Sequence, residues 1–320
     1  MAPLILVLED IHPEGPRRMA DHARVEWLLG ASRAEVLAAV ADAEAIIVKS
    51  VTQVDEEMLA AAPRLRVVAR AGSGTDNIDL AAAADRGVRV VTVPTGNTVA
   101  AAEFTVALML MLCRRMPEVL ARMSARDYRR HLLAGRELSG QTVGLVGLGN
   151  VGMAVAERLT AFGCRLLGFD PRAANGDAFE RLGGRIVKDL DLLLPQVDIL
   201  SLHVRLTPAT RNMLGERALT LIKPGAMVVN TARGQVIDDH ALLRALDEGR
   251  VSAAAVDVLH PEPPFDAEPG TTAYTHPLLG HPRILATPHV GASTEEAQRR
   301  ISLVLADELA AILGKSHLTV

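Results

Sequence analysis

Three ionisable side chains stand just past short apolar runs in the second half of the chain: Arg233 after 227–230, Glu262 after 253–258 and His289 after 283–286. Taken singly, each has an ordinary use, as a surface ion pair, a solvated loop residue and a helix cap. Taken together they supply what reduction of a 2-oxo acid needs. A guanidinium clamps a carboxylate through two parallel hydrogen bonds and polarises the carbonyl beside it. An imidazolium gives a proton to the carbonyl oxygen as hydride reaches carbon, and takes it back in the reverse direction. A carboxylate against an imidazole fixes its tautomer and favours the charged ring. If the apolar runs are parallel strands, their carboxyl ends share one crevice, and residues far apart in sequence meet there.

The hydride carrier has its own signature. The β-branched run 142–146 leads into Gly147-Leu148-Gly149-Asn150-Val151-Gly152, then into helix formers up to Phe162, a stop at Gly163, a second run 165–169 and Asp170. The first glycine of such a pattern permits the turn, the second lets backbone approach a pyrophosphate, and the third lets the helix pack on the sheet. Asp170 stands where a carboxylate bonds ribose hydroxyls and repels a 2′-phosphate, so the expected cofactor is NAD.

These residues need two lobes to carry them. A chain of 320 residues with 49% hydrophobic content suits two cores. Runs at 4–8, 45–48, 67–69 and 89–93 read as strands, with helices at 33–41 and 55–61 between them, so the first lobe is β-α-β-α-β-α-β. After 67–69 comes the loop Arg70-Ala71-Gly72-Ser73-Gly74, followed by Asp76 and Asn77: a carboxylate grip or a capped turn. The stretch 98–113 is apolar nearly all round and reads as a buried helix joining lobes or subunits. Beyond the glycine motif the rhythm resumes, with strands at 185–187, 199–202, 227–230, 253–258 and 283–286, helices at 216–221 and 238–246, a proline-rich irregular loop at 261–282 and a closing helix at 295–313 that packs on the first lobe. The fold class is α/β, with doubly wound parallel sheets.

A net charge of −4 without charged runs argues against nucleic acid as a partner. The start carries no signal-peptide pattern, and the apolar run 104–113 is too short to span a bilayer. Cys113 and Cys164 lie far apart and outside any metal-ligand spacing, so no metal is expected and a reduced, cytoplasmic setting is.

Asn230-Thr231-Ala232-Arg233-Gly234, Asp257-Val258 with Glu262-Pro263-Pro264, and Pro288-His289-Val290-Gly291-Ala292-Ser293-Thr294 resemble the signature blocks of the D-isomer-specific 2-hydroxyacid dehydrogenases, and of their phosphoglycerate dehydrogenase-like branch most. Residues 71–79 and 95–97 match as well, so the resemblance covers almost the whole chain. It implies two Rossmann-like domains, with residues 99–287 an NAD-binding domain inserted into a substrate domain made of 1–98 and 288–320, and the active site between them. It implies a catalytic triad of Arg233, Glu262 and His289. Gly147, Gly149, Asn150, Val151, Gly152 and Asp170 would meet the adenosine end of the cofactor, and Val204, Thr231, Ala232, Arg233, Asp257, His289 and Gly291 the nicotinamide end. The substrate, a 2-hydroxy or 2-oxo acid, would contact Lys49, Arg70, Ala71, Gly72, Ser73, Gly74, Asn97, Arg233 and His289. Lys49, Arg70 and Arg130 favour a second anionic group, as in 3-phosphoglycerate; a hydroxypyruvate or glyoxylate reductase is the alternative, and an NAD(H)-sensing corepressor the alternative of another class. The resemblance further implies a homodimer joined through the cofactor domains. Departures from the pattern are Arg205 for a usual Pro, Tyr128 for Trp and Lys49 for Arg, and with the sequence stopping at Val320 the regulatory domains of longer relatives are expected to be absent.

Overall fold

Each strand-like run of the sequence joins one of two sheets whose strand pairs are all parallel. The computed structural model describes residues 2–172, 174–265 and 267–314, so residues 315–320 of the expected substrate domain lie outside the described residues. The chain divides into two compact units, Met1–Thr98 with Ala292–Val320, and Val99–Gly291.

The first unit holds strands β1 (Leu4–Val7), β2 (Arg24–Trp27), β3 (Ala45–Val48), β4 (Val67–Arg70) and β5 (Arg89–Thr92) in the order β2-β1-β3-β4-β5. β1 and β3 are buried throughout, as apolar strands covered on both faces must be. β2 corrects the expected element order, which had no strand there. Its Arg-Val-Glu-Trp run is short and largely exposed, with Val25 its one side chain packed on the core, and it forms because the edge of β1 offers a backbone ladder, with Leu4 opposite Arg24 and Val7 opposite Trp27. The helix expected at 33–41 is Arg33–Ala39, opened by a capping box between Ser32 and Glu35 and followed by a 3-10 turn, Val40–Asp42. The closing helix Glu295–Leu313 is capped by Thr294 and seats Ile301, Leu305 and Leu309 among Val7, Ile47 and Val67 of the same unit. Burying each of those side chains contributes about 1.5–3 kcal/mol.

The second unit holds β6 (Thr142–Val146), β7 (Arg165–Phe169), β8 (Arg185–Ile186), β9 (Ile199–Leu202), β10 (Ala226–Asn230), β11 (Val251–Val256) and β12 (Ile284–Ala286) in the order β12-β11-β10-β9-β6-β7-β8. The chain winds outward in both directions from β6 and β9, and in such sheets ligands bind outside the carboxyl ends of those two strands. The helix Thr98–Cys113 buries Ala102, Leu108, Met109 and Leu112 in a core with Leu145, Val229 and Ala255, so its apolar character is largely accounted for within its own unit. No helix of the described residues is long and apolar enough to cross a membrane.

Candidate active site

At the end of β6 the backbone turns through Gly147, whose φ of +95° suits glycine. A Cβ on Gly152 would stand 2.1 Å from the Gly147 carbonyl oxygen, so the helix Asn150–Ala161 lies directly on the turn. No side chain caps that helix, and the Val151 and Gly152 N–H groups have no acceptor among the described residues. A Cβ placed on Gly149 meets nothing within 4 Å. Open space over bare backbone and an uncapped helix start fit the pyrophosphate of a dinucleotide.

Asp170 follows β7. One carboxylate oxygen accepts the Leu148 N–H at 2.9 Å and the other the Arg172 N–H at 2.9 Å. The side chain thus ties the glycine turn to the strand end, and each oxygen keeps lone-pair capacity for a ribose hydroxyl. His203 and Val204 follow β9 and border the turn: a Cβ on Gly147 would lie 2.7 Å from the His203 carbonyl oxygen and 3.1 Å from Val204 Cγ1. The His203 ring meets Ser201 Oγ at 2.9 Å, and burial pushes its pKa down to about 4, so it is neutral at pH 7. Arg205 is exposed, and its carbonyl accepts a hydrogen bond from Thr210.

The loop after β10 is braced by Asn230, a buried residue outside the expected site list. Its Oδ1 accepts the Ala232 N–H at 3.0 Å and its Nδ2 donates to the Arg233 carbonyl at 2.9 Å. Thr231 Oγ1 pairs with Thr105 Oγ1 at 2.8 Å, and Arg233 Nη1 donates to the Ala232 carbonyl at 2.6 Å.

Asp257, 2% exposed at the end of β11, braces the turn that carries His289. Its Oδ1 accepts from Thr287 Oγ1 at 2.6 Å and from the Val290 N–H at 2.9 Å, and its Oδ2 accepts the Gly291 N–H at 2.8 Å. These bonds grip the turn on both sides of His289, which sits at a left-handed φ of +55°. A side chain in that region costs of order 1–3 kcal/mol and persists only where its surroundings hold it. A Cβ on Gly291 would stand 2.8 Å from Asp257 Oδ2, so the close grip requires glycine there.

The turn presents His289 to Glu262, with Nδ1 at 2.6 Å from Oε1. Phe265 packs edge-on against the imidazole at 6.4 Å between centroids. Nε2 has no hydrogen-bond partner among the described residues, and the side chain is 28% exposed. A ring oriented through Nδ1, with Nε2 open, is built to exchange a proton at Nε2.

The remaining expected residues lie in the first unit. The Ser73 and Gly74 N–H groups have no acceptor among the described residues, while those of Ala71 and Gly72 go to the Val48 and Arg70 carbonyls. Asn97 Oδ1 is buried without a partner among the described residues. Lys49 opens a loop held by two residues that sequence reasoning missed. Glu9 accepts the N–H groups of Lys49, Ser50, Val51 and Thr52, and Asn77, which reads as a turn cap in sequence, donates to the Lys49 and Thr52 carbonyls. Glu9 left no signal beyond being one of two adjacent acids, Glu9 and Asp10, past a strand.

Neither thiol offers a competing nucleophile: burial raises both, Cys164 to about 11. No cluster of three or more potential metal ligands occurs among the described residues.

Residues 106–291 match the model of the D-isomer specific 2-hydroxyacid dehydrogenase NAD binding domain. The D-3-phosphoglycerate dehydrogenase of Methanocaldococcus jannaschii is 38% identical over 309 residues, 97% of this chain and 57% of that relative, so the chain spans little more than half the relative's length. Among solved structures, the D-lactate dehydrogenase of Aquifex aeolicus complexed with NAD and lactic acid superposes with a TM-score of 0.87 at 27% identity, covering 97% of this chain and 95% of that one. A glyoxylate reductase from Paecilomyes thermophila superposes with a TM-score of 0.86 at 28% identity, covering 99% and 97%. With the family model spanning more than half of its length, the chain belongs to the D-isomer specific 2-hydroxyacid dehydrogenases and carries their NAD-binding domain.

Proposed function

We propose that the protein interconverts a D-2-hydroxy acid and its 2-oxo acid with NAD, and that its substrate carries a second anionic group, as 3-phosphoglycerate does. The observation that carries the reading is the Glu262–His289 pair, 2.6 Å apart with Nε2 open, in a unit built to bind NAD. Bound NAD supplies the hydride acceptor and, reduced, the hydride donor. In this reading Gly147, Gly149, Asn150, Val151 and Gly152 hold the pyrophosphate and Asp170 the adenosine ribose, while Val204, Thr231, Ala232 and Gly291 border the nicotinamide end. Asp257 braces the His289 turn, and its Oδ2, which accepts one hydrogen bond, keeps acceptor capacity toward the nicotinamide end.

Arg233 pairs with the substrate carboxylate and draws electron density from the carbonyl. His289 delivers a proton from Nε2 to the carbonyl oxygen in reduction and removes it in oxidation, and Glu262 holds the ring and offsets its charge. Lys49, the 70–74 loop and Asn97 contact the substrate. Lys49 and Arg70 supply the cationic charge that a second anionic group needs, and the name of the Methanocaldococcus relative supports that choice. A glyoxylate or hydroxypyruvate reductase is the second reading, favoured by the likeness to the Paecilomyes enzyme.

NADH consumption across 3-phosphohydroxypyruvate, hydroxypyruvate, glyoxylate, pyruvate, sulfopyruvate and phosphonopyruvate tests both readings. Turnover should be greatest with the phosphorylated acid and fall by about 10³-fold in His289→Ala, the scale of a lost general acid. NADH binding with no acid consumed would sink the enzymatic reading, and preference for glyoxylate would select the second.

A homodimer in a reduced cytoplasm completes the proposal. The helix Met116–Ser124 buries none of its residues, and Leu120, Met123 and Tyr128 are 55%, 62% and 68% exposed along that stretch, an apolar surface that a second copy would cover. A monomeric mass by sedimentation would overturn it.

A further inference from the structure

Glu262 reaches His289 from an irregular loop, and the strip just before it is held from both sides. The His260 carbonyl accepts from His276 Nε2 at 3.2 Å, and the Pro261 carbonyl accepts from the Tyr274 hydroxyl at 2.7 Å. His276 is 6% exposed and takes no part in the chemistry above. Its Nδ1 accepts the Leu278 N–H at 3.3 Å, which places the proton on Nε2, and that N–H is shared between the His260 carbonyl and Asp239 Oδ2, 3.3 Å away. Tyr274 stacks on the His276 ring at 6.4 Å. On the other side of the strip, a Cβ on Gly234 would stand 2.6 Å from the Leu259 carbonyl carbon, and Gln235 Nε2 meets His260 Nε2 at 3.1 Å. The loop that carries Arg233 therefore leans on residues 259 and 260, the second of which His276 also holds.

We propose that His276 and Tyr274 are positioning residues, which hold the 260–261 backbone so that the Glu262 carboxylate meets His289 Nδ1. The inference rests on the proton-transfer role proposed for the Glu262–His289 pair. Glu262 is the next residue after two anchored carbonyls, so movement of the strip becomes movement of its carboxylate. A displacement near 1 Å in such a constellation costs up to about 100-fold in rate. Asp239, in the first turn of the helix Asp239–Asp247, holds the far side of the His276 N–H, and burial raises its pKa against the pull of His276. Asp238, His240 and His260 also face Asp239, and Asp239 and Glu262 both face Tyr274, so these are the groups whose titration bears on the clamp.

The test compares Tyr274→Phe, His276→Leu and His276→Gln in the full chain, with Glu262→Gln as reference. The first readout is the pH titration of the His289 ring by NMR without substrate. The second is kcat and its pH profile, and thermal midpoint and NADH affinity control for folding. Tyr274→Phe and His276→Leu should move the His289 titration in the direction seen in Glu262→Gln and lower kcat by about 10- to 100-fold at unchanged NADH affinity. His276→Gln, which keeps a donor near the Nε2 position, should recover most of both. A His289 titration that stays at the wild-type position in Tyr274→Phe and His276→Leu overturns the proposal, as does His276→Gln behaving like His276→Leu. If His276→Leu does not fold, the Tyr274→Phe titration decides alone. If the wild type consumes no 2-oxo acid, the enzymatic reading fails, while the titration still decides the positioning role.

Discussion

Each sheet reverses its strand order once, between β1 and β3 in the first unit and between β6 and β9 in the second, and the two reversals are furnished differently. Such points concentrate backbone N–H groups at the carboxyl ends of the strands. Beside β6 the Val151 and Gly152 N–H groups have no acceptor among the described residues: the helix Asn150–Ala161 starts without a side-chain cap, and the space over Gly149 is empty to 4 Å. Between β1 and β3 the chain fills the place itself, since the Glu9 carboxylate accepts the N–H groups of Lys49, Ser50, Val51 and Thr52 at 2.8–3.2 Å. One topology thus yields a ligand site where the anion must come from outside, and a rigid loop where the anion is built in. Topology alone does not say which.

Three changes break or sharpen that contrast. The largest effect is expected from Gly152→Val. Its Cβ would lie 2.1 Å from a backbone oxygen that cannot yield, so the helix must leave the turn. NADH affinity, followed by fluorescence, should fall by at least about 100-fold, the equivalent of about 2.7 kcal/mol. Unchanged affinity would show that the close packing does not shape the site.

Glu9→Ala comes next. It strips four backbone donors of their acceptor, a loss of about 2–3 kcal/mol in unfolding free energy. NADH affinity should not change. Because the emptied nest is an anion site in its own right, inorganic phosphate should raise the melting temperature of the variant more than that of the wild type. Equal response to phosphate would mean that the loop collapses once Glu9 is gone.

The smallest effect belongs to His203, which borders the open reversal. Burial holds its folded pKa at about 4, below the ordinary 6.5, so on acidification the unfolded chain takes the proton first. Its contribution is therefore fully present above pH 6.5 and is lost as pH falls toward 4, the loss reaching about 1.4 kcal/mol by pH about 5.5. Denaturant unfolding should show this slope in the wild type and a flatter one in His203→Gln; identical slopes would place the acid sensitivity elsewhere.

The glycine motif, Asp170 and the strand–helix rhythm were legible because they are local: spacing along one βαβ unit specifies them. Arg233, Glu262 and His289 were legible only as residues past strand ends, and it is the fold that brings Glu262 to 2.6 Å from His289. β2 was hidden because its side chains are exposed and its stability comes from pairing with β1. Glu9 was hidden because its partners begin 40 positions away, and the task of Asp257 because Gly291 lies 34 away.

What the sequence by itself determined is what short-range chemistry dictates: which runs are strands, where a nucleotide can lie against bare backbone, and which side chains are able to clamp a carboxylate or carry a proton. What only the tertiary structure decided is which polar groups those side chains meet. Of the acids after β11, Asp257 meets three donors of the His289 turn and Glu262 meets the ring. Composition cannot separate them, because a carboxylate becomes a brace or a partner in proton transfer according to the donors that the distant chain brings within 3 Å.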